Sequence, residues 1–169
     1  MKRRIVLAII ITTTLLATLP LAAQAPGASA SLGISIGAAL PQGSTTRILS
    51  TDWQTSFNWG FYVNLPLVYT FHLTPSAELY TLQGQNATDI DIAFKFIVPF
   101  STFSLYAGVV PGLTAVTDVT APHVGALVGG TFRLVSNLDV FVQAKYNVLF
   151  DGSQNIRIFH ANAGILFTF

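Results

Sequence analysis

The chain has 169 residues, of which 51% are apolar and 9% are charged. That is one domain's worth of sequence, with far less charge than the roughly 25% of an ordinary soluble domain; a disordered chain and a nucleic-acid binder with a basic patch are both excluded. The absence of cysteine excludes a disulfide scaffold, a thiolate zinc site, a cysteine nucleophile and a lipoprotein anchored through a Cys at its mature start.

Lys2, Arg3 and Arg4 precede an apolar stretch, Ile5 to Leu21, broken by Thr12–Thr14 and Pro20, and Ala23-Gln24-Ala25 follows with a small-x-small pattern. This is the layout of a secretory signal peptide. Residues 1–25 are expected to be the signal and residues 26–169 the mature domain, with Ala28-Ser29-Ala30 as an alternative cleavage site. An uncleaved anchor is the rival reading, and Pro20 argues against it. Three of the eight basic residues and none of the seven acidic ones lie in residues 1–25, so five basic residues face seven acidic ones in the rest, a charge of −2.

The remaining segments alternate with a period of two, the signature of strands with one face in a different medium from the other. Expected strands, in chain order, are Ala30–Leu40, Ser56–Phe71, Ser76–Gln83, Thr88–Val98, Thr102–Val110, His123–Leu134, Leu138–Phe150 and Asn155–Phe169. Between Asp89 and Val98 one face reads Ile90, Ile92, Phe94, Phe96, Val98 and the other Asp89, Asp91, Ala93, Lys95, Ile97. The longest helical candidate, Ile92 to Val116, carries Lys95, Pro99 and Pro111 and does not suit a spanning helix. A soluble sandwich would put Lys, Glu, Asp and Arg on its outward face. Here the second face is mostly Gly, Ser, Ala, Asn and Tyr, which fits the crowded inside of a narrow barrel whose apolar face meets lipid. The expected fold is all-β, an eight-stranded antiparallel up-and-down transmembrane β-barrel. Long links are expected at Pro41–Thr55 and Leu113–Pro122, and tight turns at His72–Pro75, Pro99–Ser101 and Val135–Asn137. Both termini are expected on the periplasmic side. Phe57, Trp59 and Phe150 are expected in an outer aromatic girdle, and Tyr69, Phe71, Phe132, Phe167 and Phe169 in a periplasmic one.

The last segment ends on Phe169, with apolar residues at every second position back through Phe167 and Ile165. It resembles the terminal strand of bacterial outer-membrane proteins, and the resemblance implies that Ile165, Phe167 and Phe169 form the signal read by the outer-membrane assembly machinery. With the signal peptide and eight strands, residues 26–169 resemble the small outer-membrane barrels of the OmpX/Ail, OmpA-domain, OmpW and opacity-protein families. The resemblance implies a place in the cell outer membrane among its lipids. No motif selects one family, and the sequence sets no oligomeric state.

Parity sends Glu78, Asp91, Lys95, Arg133 and Lys145 into the lumen with Ser31, Ser35, Asn58, Tyr62, Asn64, Tyr80, Tyr106, Gln143, Asn147, His160, Asn162 and several glycines. A charge confined there must be paired. Glu78 and Lys95 are expected to pair across the Gly84–Ala87 hairpin, with Asp91, Lys145 and Arg133 in one polar network. That network is expected to plug the barrel in preference to conducting ions. His72, His123 and His160 show no His-x-His or His-x-x-x-His spacing, so no metal, cofactor or catalytic residue is expected. His160-Ala161-Asn162 resembles the lipid A deacylase pattern, in which a serine stands two after the histidine; Asn162 in that place removes the nucleophile. Asn86-Ala87-Thr88 reads as a chance glycosylation match. The expected role is structural, or surface interaction through residues 41–55. The alternative is a narrow channel for small or hydrophobic molecules; a lipid-modifying enzyme is a third reading.

Overall fold

The computed structural model describes residues 29–42, 55–68, 70–82, 84–117, 119–151 and 154–169. Eight strands follow one another: β1 (Ser31–Gln42), β2 (Ser56–Val68), β3 (Phe71–Leu82), β4 (Gln85–Pro99), β5 (Phe103–Val116), β6 (Val119–Val135), β7 (Leu138–Asp151) and β8 (Gln154–Thr168). Each pairs antiparallel with its sequence neighbour, and β1 pairs with β8, from Ser31↔Thr168 to Gln42↔Arg157, closing the barrel. Closure leaves no unpaired strand edge. The expected signal segment and the middle of the Pro41–Thr55 link lie outside the described residues.

Alternation governs the wall. In β4, Ala87, Asp89, Asp91, Ala93 and Lys95 are buried, and Ile90, Ile92, Phe94 and Phe96 are exposed. Large apolar side chains such as Ile36, Phe61, Val109, Val128 and Val142 stand exposed around the circumference. A soluble monomer does not sustain so large an apolar surface; lipid is the medium that accepts it. Rings gather at the strand ends: Phe71 meets Phe96 edge-on at 5.2 Å, and Phe103 stacks between Phe100 and Phe132 at 4.4 and 6.5 Å. Of the expected girdle residues, Phe57, Trp59, Phe71, Phe132, Phe150, Phe167 and Phe169 are exposed, while Tyr69 lies outside the described residues.

Two expected connections are strand instead. His72–Pro75 belongs to β3, which begins at Phe71. Pro75 has no N–H to give a ladder, and the β2–β3 register lapses beside it, between Tyr62↔Ser76 and Leu65↔Leu73. Leu113–Pro122 is the tip of a hairpin, with Val116↔Val119 its last pair and Thr117 at φ 49° in the turn. Its Thr and Val residues favour strands, and a left-handed Thr is a turn that residue type alone does not announce. Pro111 again sits at a lapse, between Asp91↔Gly112 and Phe94↔Val109. The Gly84–Ala87 loop shortens to a turn around Gly84, at φ 76°, with Gln85 already paired to Leu82.

Candidate functional site

Side chains fill the lumen in three zones. At the end away from the termini, Ala39, Tyr80, Leu82, Ala87, Val116, Leu149, Ile156 and Ile158 form one buried apolar cluster. All point inward by parity, and they seal that mouth with aliphatic carbon.

Beneath the seal is a polar zone drawn from seven strands. Lys145 of β7 donates to Glu78 Oε1 of β3 at 2.8 Å and to Asp91 Oδ2 of β4 at 2.5 Å, and its Nζ lies 3.8 Å from Asp89 Oδ2. Tyr62 of β2 donates to Glu78 Oε1 at 2.7 Å. Tyr80 and Thr114 of β5 donate to Asp89 Oδ1 at 2.8 and 2.7 Å. His123 of β6 sets Nε2 2.7 Å from Asp91 Oδ1 and Nδ1 2.8 Å from Thr114 Oγ1. His160 of β8 lies with Nδ1 3.3 Å from Glu78 Oε2 and Nε2 3.5 Å from Asp89 Oδ2. Asn147 Nδ2 donates to Asp89 Oδ2 at 3.2 Å. Glu78, Asp89, Asp91, Lys145, His123 and His160 are all buried, so each charge here acts in a low dielectric, where pairing counts most.

Small residues on the facing strands make this crowding fit. A Cβ on Gly112 would stand 2.5 Å from both Asp91 Oδ1 and His123 Nε2, so only glycine leaves room for that pair. At Gly37 a Cβ would collide with the Ala161 carbonyl and with Asn162 Oδ1.

The third zone, at the terminus-bearing end, is looser. A pocket of about 20 Å³, room for one water, is lined by Tyr62, Asn64, Thr74, Lys95, Tyr106 and Phe141 among others. Thr74 Oγ1 donates to Asn64 Oδ1 at 2.9 Å, and Asn64 Nδ2 lies 3.0 Å from His72 Nδ1, which stitches by side chains the place where the β2–β3 ladder lapses.

The expected network divides accordingly. Glu78, Asp91 and Lys145 meet. Lys95 shares their face but not their company: it stands opposite His72, Glu78 stands opposite Asp89, and the Lys95 ammonium lies 4.7 Å over the Tyr106 ring. The expected Glu78–Lys95 pair is therefore corrected, because six residues of strand separate the two levels. Arg133 is corrected as well. It has inward parity, but β6 ends beside it in a register shift, and its side chain is 65% exposed at the rim, 3.5 Å from Asp139. Asp89, His123 and Thr114 belong to the centre and were not in the expected set. Asp89 was legible as the i−2 neighbour of Asp91; Thr114 was hidden inside the expected Leu113–Pro122 link, and His123 stood at the very start of an expected strand, next to that link. Ile165, Phe167 and Phe169 lie on one outward face of β8, and Phe169 N donates to Ala30 O at 3.1 Å.

Thr114, His123 and Asp91 form a hydroxyl–imidazole–carboxylate chain of the kind that activates nucleophiles. All three are buried under the apolar seal, and the pocket at the far end is not lined by Thr114.

No family model matches this chain, and no curated protein sequence matches it. Solved structures do match in fold. Neisserial surface protein A aligns with a TM-score of 0.71 and 14% identity over 83% of this chain and 97% of that one. OprG, an outer-membrane protein of Pseudomonas aeruginosa, aligns at 0.56 with 9% identity over 84% and 96%. Ail, the attachment invasion locus protein of Yersinia pestis, aligns at 0.51 with 11% identity over 84% and 100%. The chain has the closed eight-stranded barrel fold of these proteins.

Proposed function

We propose that this chain is an integral protein of the bacterial outer membrane whose barrel is a closed scaffold, with its role structural or exercised at the surface through the Pro41–Thr55 link. The observation that carries this reading is the packed lumen. An apolar cluster closes one mouth, a salt-bridged layer fills the middle, and the pocket among the described residues toward the other end holds about 20 Å³, whereas a water-filled pore needs a continuous lumen. The apolar outer wall supports the location, and the outward face of Ile165, Phe167 and Phe169 supports recognition by the assembly machinery. Planar-bilayer recording tests the closed lumen: the expected trace shows no steady unitary current, and a stable, sizeable channel overturns the reading. Exchange of residues 43–54 for a Gly/Ser linker is expected to abolish binding to host surfaces while leaving the barrel folded; unchanged binding removes the loop from the account.

A second reading, passage of small apolar molecules through the wall, is favoured by the lapse of the β2–β3 ladder at Pro75 directly outside the pocket lined by Asn64 and Thr74. A disulfide across β2 and β3 at positions 63 and 75 would block such a route. Uptake that survives the crosslink ends this reading.

A further inference from the structure

The buried centre is rich in carboxylates. Glu78, Asp89 and Asp91 supply three carboxylates, and Lys145 is the one ammonium within 4 Å of them among the described residues. Two imidazoles, His123 and His160, stand against the same carboxylates. The geometry points to a site for one divalent transition-metal ion, held by Asp89, Asp91 and His123, with His160 swinging in beside Asp89 as the fourth ligand.

Three observations converge. Ligand atoms of Asp89, Asp91 and His123 all lie within 4.8 Å of one another. His160 Nε2, fully buried, has no hydrogen-bond partner and is aimed at Asp89 Oδ2 across 3.5 Å. Atoms around a tetrahedral ion with bonds of ~2.0–2.2 Å stand about 3.4 Å apart, so that spacing suits two ligands of one ion. Finally, the other polar atom of each ligand is already held. Glu78 Oε2 faces His160 Nδ1 at 3.3 Å, Thr114 Oγ1 meets His123 Nδ1 at 2.8 Å, Tyr80 and Thr114 donate to Asp89 Oδ1, and Lys145 donates to Asp91 Oδ2. That is how protein metal sites orient their ligands, an outer hydrogen bond fixing which atom points inward. The atoms left over are His160 Nε2, His123 Nε2, Asp89 Oδ2 and Asp91 Oδ1.

Two nitrogens and two carboxylate oxygens suit zinc and its neighbours in the first transition row better than calcium or magnesium, which want oxygen alone. The ion enters between His123 Nε2 and Asp91 Oδ1, widening that 2.7 Å contact, with the imidazole's one proton on Nδ1, facing Thr114 Oγ1. Lys145 keeps its bonds to Glu78 and Asp91. Asn147, whose amide spans Asp89 and His123 and whose Oδ1 has no partner, gives way by swinging its amide aside.

The test uses the full barrel refolded in detergent and stripped with chelator. Cobalt(II) titration is expected to give one equivalent of binding with the visible absorption of a tetrahedral ion, displaced by zinc, and calorimetry with zinc is expected to give the same stoichiometry. Asp89→Asn and His160→Gln are expected to weaken zinc by at least about 100-fold, the upper end of what outer-sphere changes alone do; Asp139→Asn at the rim is expected to change nothing. Circular dichroism and heat-shifted gel mobility report whether each variant is folded. If the variants do not fold, X-ray absorption of the zinc-loaded wild type decides: a four-coordinate nitrogen–oxygen shell supports the site, and an octahedral all-oxygen shell overturns it. A folded wild type that takes up no metal at millimolar zinc, or folded variants that bind as well as it does, overturns it too.

Discussion

The two halves of the lumen answer the same problem in opposite ways. Near the Pro41–Thr55 link, Leu82, Leu149, Ile156 and Ile158 fill the barrel with aliphatic carbon, which asks nothing of its neighbours but shape. Beneath it, Lys145 holds Glu78 and Asp91, and each of these charges depends on its partner. The contrast teaches where the barrel tolerates change. An apolar layer degrades gradually as methylenes are lost; a charged one fails when a single partner goes, because what remains is an uncompensated buried charge.

That contrast can be broken from the charged side first. Lys145→Met is expected to be the most damaging single change, about 3–5 kcal/mol by the usual cost of removing one partner from a buried ion pair, read from urea unfolding in detergent. A loss under about 1 kcal/mol, small against that range, would mean the carboxylates were not relying on Lys145. On the apolar side, Ile158→Ala is expected to lose about 2–4 kcal/mol as transfer and cavity terms, and Leu149→Ala combined with it is expected to lose more while still passing no current, because the salt-bridged layer fills the middle. Gly112→Ala tests the fit between the halves: its Cβ would lie 2.5 Å from Asp91 Oδ1 and His123 Nε2, and overpacking of this kind costs about 1–3 kcal/mol. Unchanged unfolding would show that the wall has room to shift there. Last comes the rim, where Arg133→Ala is expected to stay within about 0.5 kcal/mol, since exposed pairs contribute little; a larger loss in the same unfolding assay would place Arg133 in the core network after all.

Much of the wall was legible before any coordinates. Ile90, Ile92, Phe94 and Phe96 alternate with Asp89, Asp91, Ala93 and Lys95, and a strand has no way to turn both sets to one side. Eight strands, and inward parity for Glu78, Asp91 and Lys145, came from that local rule. Proline misled it. Pro75 and Pro122 read as breakers, yet both lie in strands: Pro75 beside a ladder lapse, and Pro122 still paired with Leu113. The tip of the β5–β6 hairpin carries no glycine to mark it.

The period-two pattern by itself determined which side chains face lipid and which face the axis, because that is a property of each strand alone. Which inward groups meet is a property of all eight strands, set by turn positions and by the stagger at which β1 closes on β8. Lys95 and Lys145 have the same parity and the same chemistry; one lies over a tyrosine ring and the other between carboxylates. Asp89, Asp91, His123 and His160 come from three strands spread over seventy-two positions of sequence; no spacing rule joins them, and only the closed barrel brings them to one level.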